Sequence, residues 1–399
     1  MTTIPERNRH ILIVVENLPV PLDRRVWLEA TTLERAGYEV SVICPMGRGW
    51  DLEYEIIDRV HIYRYPQPVE AHSGVFAYAQ EYGHAIWQWF SLAKKVWDSR
   101  RFDAIQGCNP PDLVFLLAIW YRRLGVRYMF DHHDVSPELF EAKFGRRGLI
   151  HGLMRVLERI TFAIAHVSMA TNDSFRNIAI KRGKMAPENV FTVRSAPKID
   201  QFLPADGDRT YRKGAEILIG YVGVIGQQEG MDLLVKSAEH LVNTLGASVH
   251  FLIIGFGPAR NDMIRDVADH SLNDHFTFTG ALYGQDLLDA LNAIDIGVAP
   301  DPKNAMNDIS TMNKVMEYMT LRKPVVQFDL IEGRASAGPA SLYAEPNDPV
   351  DFALKIQMLI DDPAIRDQMG DEGRKRVLDR LSWAHSEPQL LAAYARLFE

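Results

Sequence analysis

The sequence predicts two consecutive α/β domains, each a doubly wound, mostly parallel sheet with helices on both faces. Three observations predict it. Short β-branched runs alternate with longer segments of helical period, the pattern of βαβ units. The alternation restarts at Ile217 after a polar Pro/Gly-bearing stretch. The chain has 399 residues, room for two or three cores at a usual domain size of about 150 residues.

In order, strands are expected over 10–15, 40–43, 61–65, 104–106, 128–130 and 166–170, separated by helices such as 24–36, 77–98 and 111–124. The second half repeats the scheme with strands over 217–222, 249–254, 276–278, 296–299 and 325–328. Its helices are expected over 231–245, 258–269, 285–294, 313–321 and 350–360. Between the halves, Ala196-Pro197-Lys198-Ile199-Asp200 and Ala205-Asp206-Gly207-Asp208-Arg209 have the composition of a domain linker. The boundary is therefore placed near residue 200. No repeat of fixed period appears, which excludes a solenoid or propeller. In doubly wound sheets ligands sit at the carboxyl ends of the strands, where the winding reverses, and a cleft between two such domains is the default site.

Composition removes several functional classes. Lys and Arg number 44 against 52 Asp and Glu, a formal net charge of −8, so the positive field that nucleic acid requires is missing. Hydrophobic residues at 47% with charged residues at 24% fit a globular chain and not a disordered one. The apolar run Ile11–Val15 is too short for a signal-peptide core, and no stretch has the length and apolarity of a membrane span. The expectation is a cytoplasmic protein whose membrane contact, if any, is peripheral. Cys44 and Cys108 lack partners at metal-ligand spacing, and no metal site is expected.

Two glycine clusters follow strands of the second half: Gly220-Tyr-Val-Gly223-Val-Ile-Gly226 and Gly255-Phe-Gly257. Gly223, Gly226, Gly255 and Gly257 either cradle a diphosphate with backbone amides or serve only as tight strand-to-helix turns. The segment Asn307-Asp308-Ile309-Ser310-Thr311-Met312-Asn313-Lys314-Val315-Met316-Glu317 is more specific. Ser310, Thr311 and Asn313 are N-cap residue types in front of a helix. Lys314 falls in its first turn, where a cation opposes the helix dipole unless an anion lies nearby. Glu317 shares a face with Asn313 and Lys314, and a carboxylate beside a phosphate-facing helix start suits a ribose. A capped surface helix with a Lys–Glu pair is the plain alternative.

These motifs resemble glycosyltransferase family 4, retaining nucleotide-sugar-dependent enzymes of GT-B fold. KVMEYM followed by KPVV is similar to that family's donor motif, and DRRVWLEATTLERAGYEVSVICP, FDHHDVSPEL, GYVGVIGQQEGMDLL, LIIGFGPAR, FTFTG and IDIGVAP extend the likeness along nearly the whole chain. The resemblance implies that Glu317 binds the donor ribose and that Lys314 and the helix start meet the diphosphate. It further implies that His133, with Asp134 beside it, faces the reacting sugar, and that the loop with Asp23, Arg24 and Arg25 lies on the acceptor side. The terminal helix 383–399 then completes a first domain of 1–200, leaving 201–382 as the nucleotide-sugar domain. No cofactor and no metal is implied. The partners are a nucleoside diphosphate sugar and a saccharide or lipid-linked acceptor, in polysaccharide or other glycoconjugate synthesis. An epimerase of the same architecture and a non-catalytic sugar-nucleotide-binding partner are the rivals.

Departures from the family are equally informative. The carboxylate expected eight positions before Glu317 is replaced by Ile309, with Asp308 as its neighbour. An Arg and a Lys usual in the loop after the first strand of the second domain are Val224 and Glu229 here. Diphosphate charge then falls to Lys314, to amides, and to Arg194 or Lys198. Separately, Leu149, Leu153, Leu157, Ile160 and Ile164 line one stripe of a helix, with Arg147, His151, Arg155 and Arg159 opposite. Such a helix packs its stripe into the core or lies on an anionic bilayer.

Overall fold

The computed structural model describes residues 8–67, 75–145, 147–197 and 199–399. It divides into two compact units, Met1–Ser195 with Ala384–Glu399, and Ala196–Trp383.

Unit 1 holds β1 (His10–Val14), α1 (Arg24–Arg35), β2 (Glu39–Pro45), β3 (Tyr54–Ile57), β4 (Val60–Tyr65), α2 (Val75–Ser99), β5 (Ala104–Cys108), α3 (Phe115–Arg122), β6 (Arg127–His132), α4 (Ser136–Phe144), α5 (Leu149–Ile164), β7 (Val167–Ala170), α6 (Asp173–Lys181) and β8 (Val190–Thr192). Its sheet runs β3-β4-β2-β1-β5-β6-β7-β8, parallel at each pairing apart from the antiparallel β3–β4 edge. Successive strands step from β1 towards β4, then from β5 towards β8. The winding therefore reverses between β1 and β5. Every residue of β1 and β5 is buried, as covering both faces of a parallel sheet requires. Trp89, Phe102, Tyr128, Phe130 and Phe162 fill one side of this core.

Unit 2 holds β9 (Ile217–Val222), α7 (Met231–Glu239), β10 (Val249–Ile254), α8 (Arg260–Asp269), β11 (Phe276–Gly280), α9 (Gly284–Ala293), β12 (Ile296–Ala299), α10 (Asn313–Thr320), β13 (Val325–Phe328), α11 (Ile331–Ala337), β14 (Ser341–Ala344), α12 (Pro349–Asp361) and α13 (Pro363–Arg376). Its sheet runs β11-β10-β9-β12-β13-β14, parallel throughout, and its winding reverses between β9 and β12. The last helix, α14 (Trp383–Phe398), packs into unit 1. There Tyr394 donates to Gln106 Oε1, and the Arg9 guanidinium lies 4.2 Å from the centre of the Phe398 ring.

Three expectations need correction. The helix expected over 111–124 starts at Phe115, because Pro110 and Pro111 hold the preceding chain in turns. The helix over 231–245 is α-helical to Glu239 and continues as a π-turn over His240–Thr244. The stripe on α5 divides along the helix axis. Leu157, Ile160 and Ile164 pack against the core, whereas Leu149, Leu153 and Val156 are 95%, 57% and 54% exposed. Arg155 and Arg159 are exposed on the same helix, and Arg147, two residues before it, is exposed and pairs with Glu141 at 3.0 Å. Among the described residues, no helix is long and apolar enough to cross a membrane.

Candidate active site

At the reversal point of unit 2, three segments converge: the loop after β9, the end of β12 and the first turn of α10. Glycine is required where the loops meet. A Cβ on Gly255, whose φ is +151°, would lie 1.9 Å from the Gly223 carbonyl oxygen, and one on Gly257 would lie 2.4 Å from that of Ile225. The same contacts consume amides: Gly223 N–H donates to Ile254 O at 3.0 Å, Ile225 N–H to Phe256 O at 3.1 Å and Gly255 N–H to Gly280 O at 2.9 Å. Gly223 and Gly255 therefore stitch neighbouring loops together. This gives the tight-turn role to two of the glycines expected in a phosphate cradle. Gly226 precedes the 3₁₀ turn Gln227–Glu229, which leads through Gly230 into α7.

α10 is locked over this point by Tyr318. Its hydroxyl accepts from Val222 N–H at 2.9 Å and donates to Val298 O at 3.3 Å, joining the ends of β9 and β12. Its ring occupies the space that a Cβ at Gly297 would fill. One turn earlier, the Lys314 ammonium lies 2.8 Å from each oxygen of Asp301, a fully buried residue that follows β12. It also lies 3.7 Å from Glu229 Oε2 and 5.0 Å from the centre of the Tyr221 ring. Burial alone disfavours the ammonium, but Asp301 and Glu229 outweigh it and hold the Lys314 pKa above its ordinary value. The anion demanded by a lysine in a helix's first turn is thus internal, at Asp301. Glu317 is buried on the same helix.

Several expected ligands have other work. α10 begins after Met312, which makes no side-chain cap, so Ser310, Thr311 and Asn313 are not its N-caps. Ser310 instead donates to Met306 O at 2.7 Å, closing the short turn Asn307–Ile309, and Asn313 is exposed. Asp308 accepts from Ile331 N–H at 3.0 Å and pairs with Lys303 at 3.2 Å. Its carboxylate is therefore engaged with the start of α11 and with Lys303. Arg194 pairs with Asp173 at 2.9 Å within unit 1. Lys198 lies outside the described residues.

In unit 1 the ends of β5 and β6 carry a second charged cluster. His133 Nε2 meets Asp131 Oδ2 at 2.6 Å. Burial disfavours the imidazolium, but Asp131 more than compensates and raises the His133 pKa. Asn109 shapes the loop: its Oδ1 accepts from the N–H groups of His133 at 2.7 Å and Asp134 at 3.2 Å. Burial raises the Asp134 carboxyl above its ordinary range. His132 is fully buried and its ring centre lies about 5 Å from those of Phe130, Phe162 and Phe175; burial drops its pKa to about 3. It is a neutral core residue, whereas His133 is partly exposed.

Asp23 caps α1 as expected, accepting from Val26 N–H at 3.1 Å. Arg25 is reassigned. It is buried, donates to Val193 O at 2.6 Å and Asp131 Oδ1 at 2.7 Å, and lies 3.1 Å from Glu29, so its counter-ions are internal. Arg24 beside it is exposed. Gln106 donates to Glu29 at 2.7 Å and Asp131 at 3.0 Å and accepts from Tyr394 of α14. Among the described residues, donor atoms of Cys108, Asp131 and His133 lie within 4.8 Å of one another. A cation there would lie beside the Arg25 guanidinium, which holds the other oxygen of Asp131, and would have to deprotonate a thiol that burial raises well above its ordinary value.

Asp301, Asn109 and Gln106 were missed by sequence reasoning. Asp301 and Asn109 lie just beyond the carboxyl ends of β12 and β5, which is the signal that marks them, whereas Gln106 sits in the middle of β5.

Comparison with known proteins agrees with this anatomy. Residues 22–195 match the family described as "Glycosyl transferase 4-like domain", and residues 216–362 match "Glycosyl transferases group 1". A 2-deoxystreptamine glucosyltransferase of Streptomyces kanamyceticus is 28% identical over 69% of this chain and 72% of its own. An alpha-D-kanosaminyltransferase of the same organism is 24% identical over 50% of this chain, and the match spans about half its own length, 52%. A sucrose-phosphate synthase of Thermosynechococcus elongatus superposes with a TM-score of 0.78 at 17% identity, covering 98% of this chain and 99% of that one. HepE of Anabaena, in complex with UDP and glucose, gives 0.73 at 13% identity over 97% and 100%. These likenesses establish the GT-B fold. With a family match to each unit, the chain belongs to the GT4-type glycosyltransferases.

Proposed function

We propose that this protein transfers a sugar from a nucleoside diphosphate sugar to a hydroxyl acceptor, with retention of anomeric configuration and without a divalent metal. The observation that carries the reading is the reversal point of unit 2. A buried lysine and a buried glutamate stand on the first turns of one helix, beside a glycine-bearing loop. In this reading the diphosphate lies against the start of α10, where peptide dipoles and the Lys314 ammonium stabilise the charge that develops as it leaves. An ammonium has three N–H directions. Two serve Asp301, and the third serves a phosphate oxygen. Glu317 accepts from the ribose hydroxyls.

Unit 1 supplies the acceptor side through the 16–25 loop and the His133–Asp134 turn. The acceptor oxygen attacks on the face the diphosphate is leaving. Its proton passes to a phosphate oxygen, so no protein base is consumed. In unit 1, Asp131 orients His133, whose imidazole offers a hydrogen bond to a substrate oxygen. HepE, a structural neighbour, binds UDP and glucose, which supports a sugar nucleotide as ligand. The named relatives act in glycoside assembly, consistent with an acceptor in polysaccharide, glycolipid or other glycoconjugate synthesis.

Membrane contact belongs to the same proposal. The exposed Leu149, Leu153 and Val156, with Arg147, Arg155 and Arg159 alongside, present the apolar and cationic surfaces of a helix lying on an anionic bilayer. Its site of action is then the cytoplasmic membrane face.

A thermal-shift screen over UDP-, GDP-, ADP- and dTDP-sugars, with and without Mg²⁺, tests the donor reading. One donor should stabilise the protein equally in both conditions, and Lys314→Ala and Glu317→Ala should each abolish that shift. Normal shifts in both variants would refute the assignment of α10. Product formation only when an acceptor is supplied separates a transferase from an epimerase.

A further inference from the structure

The charges at the donor loop do not balance for an anion. Lys314 is one cation facing two carboxyl groups, Asp301 on both oxygens at 2.8 Å and Glu229 at 3.7 Å. Glu229 stands at the end of the short turn leading into α7. Both carboxyls therefore meet at the same ammonium. With both carboxyls ionised the cluster is net negative, and a diphosphate brought to α10 would meet repulsion from the group nearest the loop. The other titratable side chains facing the cluster do not relieve this. Tyr221 of β9 and Tyr318 of α10 are buried phenols held above their ordinary pKa, and Glu317 adds another carboxyl.

Resting on the donor reading above, we infer that sugar-nucleotide binding at this loop takes up one proton from solvent, which settles on Glu229 and is shared with Asp301. The balance is simple. A Glu229 carboxylate and a solvent proton become a carboxylic acid, its O–H donates to Asp301, and no bond to substrate forms or breaks. Lys314 is then left with one carboxylate, and its remaining N–H direction serves the phosphate. Independent support comes from the carboxyl itself: burial lifts it more than Lys314 lowers it, and Asp301 adds to the rise, up to about 7. Glu229 is thus a positioning residue. It acts on the donor through Lys314 and makes donor affinity depend on pH.

The sign follows from linkage. Below pH about 7 the proton is already bound and affinity is flat. Above it, binding must recruit the proton, so Kd rises by up to about tenfold per pH unit. The test is calorimetry of the full chain with UDP-glucose, GDP-mannose, ADP-glucose and dTDP-glucose, whose esterified phosphates do not titrate near neutrality. Each is measured at pH 6.5 and pH 8 in buffers of different ionisation enthalpy. The expected result is uptake approaching one proton per donor at pH 8 and little at pH 6.5. Glu229→Gln should bind about tenfold more tightly than the parent at pH 8 and lose the uptake. His133 is retained in that variant, so uptake that survives the substitution arises elsewhere and overturns the inference. Donor binding by the unaltered protein without proton uptake overturns it as well, with no variant needed. Failure of all four to bind at pH 6.5 overturns the donor reading itself.

Discussion

Each unit buries a charged cluster at the point where its own sheet reverses direction, yet the two clusters are built differently. In unit 1, Arg25 is held by Asp131, Glu29 and the Val193 carbonyl. Gln106 and Tyr394 tie these groups to β5 and to α14. The network spans the first helix, two strands and the last helix of the chain. Its one partly exposed member is His133. In unit 2, Lys314 has two carboxyl partners that arrive on loops, Asp301 and Glu229. The first arrangement fixes a shape and presents one imidazole. The second leaves its charge balance open to whatever anion arrives. Burial of charge therefore does not by itself identify a ligand site. The kind of element carrying the partners separates the two cases, strand and helix in unit 1 against loop and short turn in unit 2.

The largest expected effect breaks the unit 1 cluster. Asp131→Ala leaves the Arg25 guanidinium buried without its closest carboxylate, and removing one partner of a buried pair costs about 3–5 kcal/mol. Urea unfolding should show a loss of that size, and a change below about 1 kcal/mol would mean water reaches the pair. Next comes the donor side. Glu317→Ala removes a charged acceptor, worth about 2 kcal/mol, so the preferred sugar nucleotide should bind roughly thirtyfold more weakly with little change in unfolding. Equal affinity would separate Glu317 from the ribose.

A smaller effect distinguishes the clusters by pH. His133 has a folded-state pKa above its ordinary value because of Asp131. Its stabilising contribution is therefore complete below pH about 6.5 and is lost as pH rises through the folded value. His133→Gln should flatten the dependence of unit 1 stability on pH between 6 and 8, by no more than about 1.4 kcal/mol per pH unit. An unchanged slope would place the titration on another group. The smallest effect concerns α5. Arg155→Ala and Arg159→Ala should each weaken binding to phosphatidylserine vesicles by about 1 kcal/mol, with no loss on neutral vesicles. Equal binding to both kinds of vesicle would remove the electrostatic part of that proposal.

The central strands were legible because a parallel sheet covered on both faces is written as runs dominated by apolar residues, as in residues 11–14 and 251–254. Of the four edge strands, β11 was expected over 276–278 and the other three were not. Tyr54–Ile57 alternates exposed and half-buried residues, and Val190–Thr192 and Ser341–Ala344 are too short to carry a pattern. Helix α11, IEGRASA, has four small residues among its seven and no apolar stripe to read. At the site, a lysine placed against a helix dipole correctly announced a nearby anion, but its identity was hidden. Asp301 reaches Lys314 from the end of another strand, and Arg25 finds Asp131 at a separation of 106 residues. Local rules predict that a partner must exist, and only the assembled sheet supplies it. The same limit explains Asp308 and Arg194, whose charges are satisfied by Lys303 and Asp173.

The central claim is that a sugar nucleotide binds unit 2 at the start of α10. Hydrogen exchange of the full chain, with and without a saturating donor, tests it at the backbone. The account predicts slowed exchange over residues 223–230 and 313–317 in the unaltered protein, and in Glu317→Ala the same protection only at roughly thirtyfold higher donor concentration. Protection confined to other strand ends, with both segments unchanged, would contradict it.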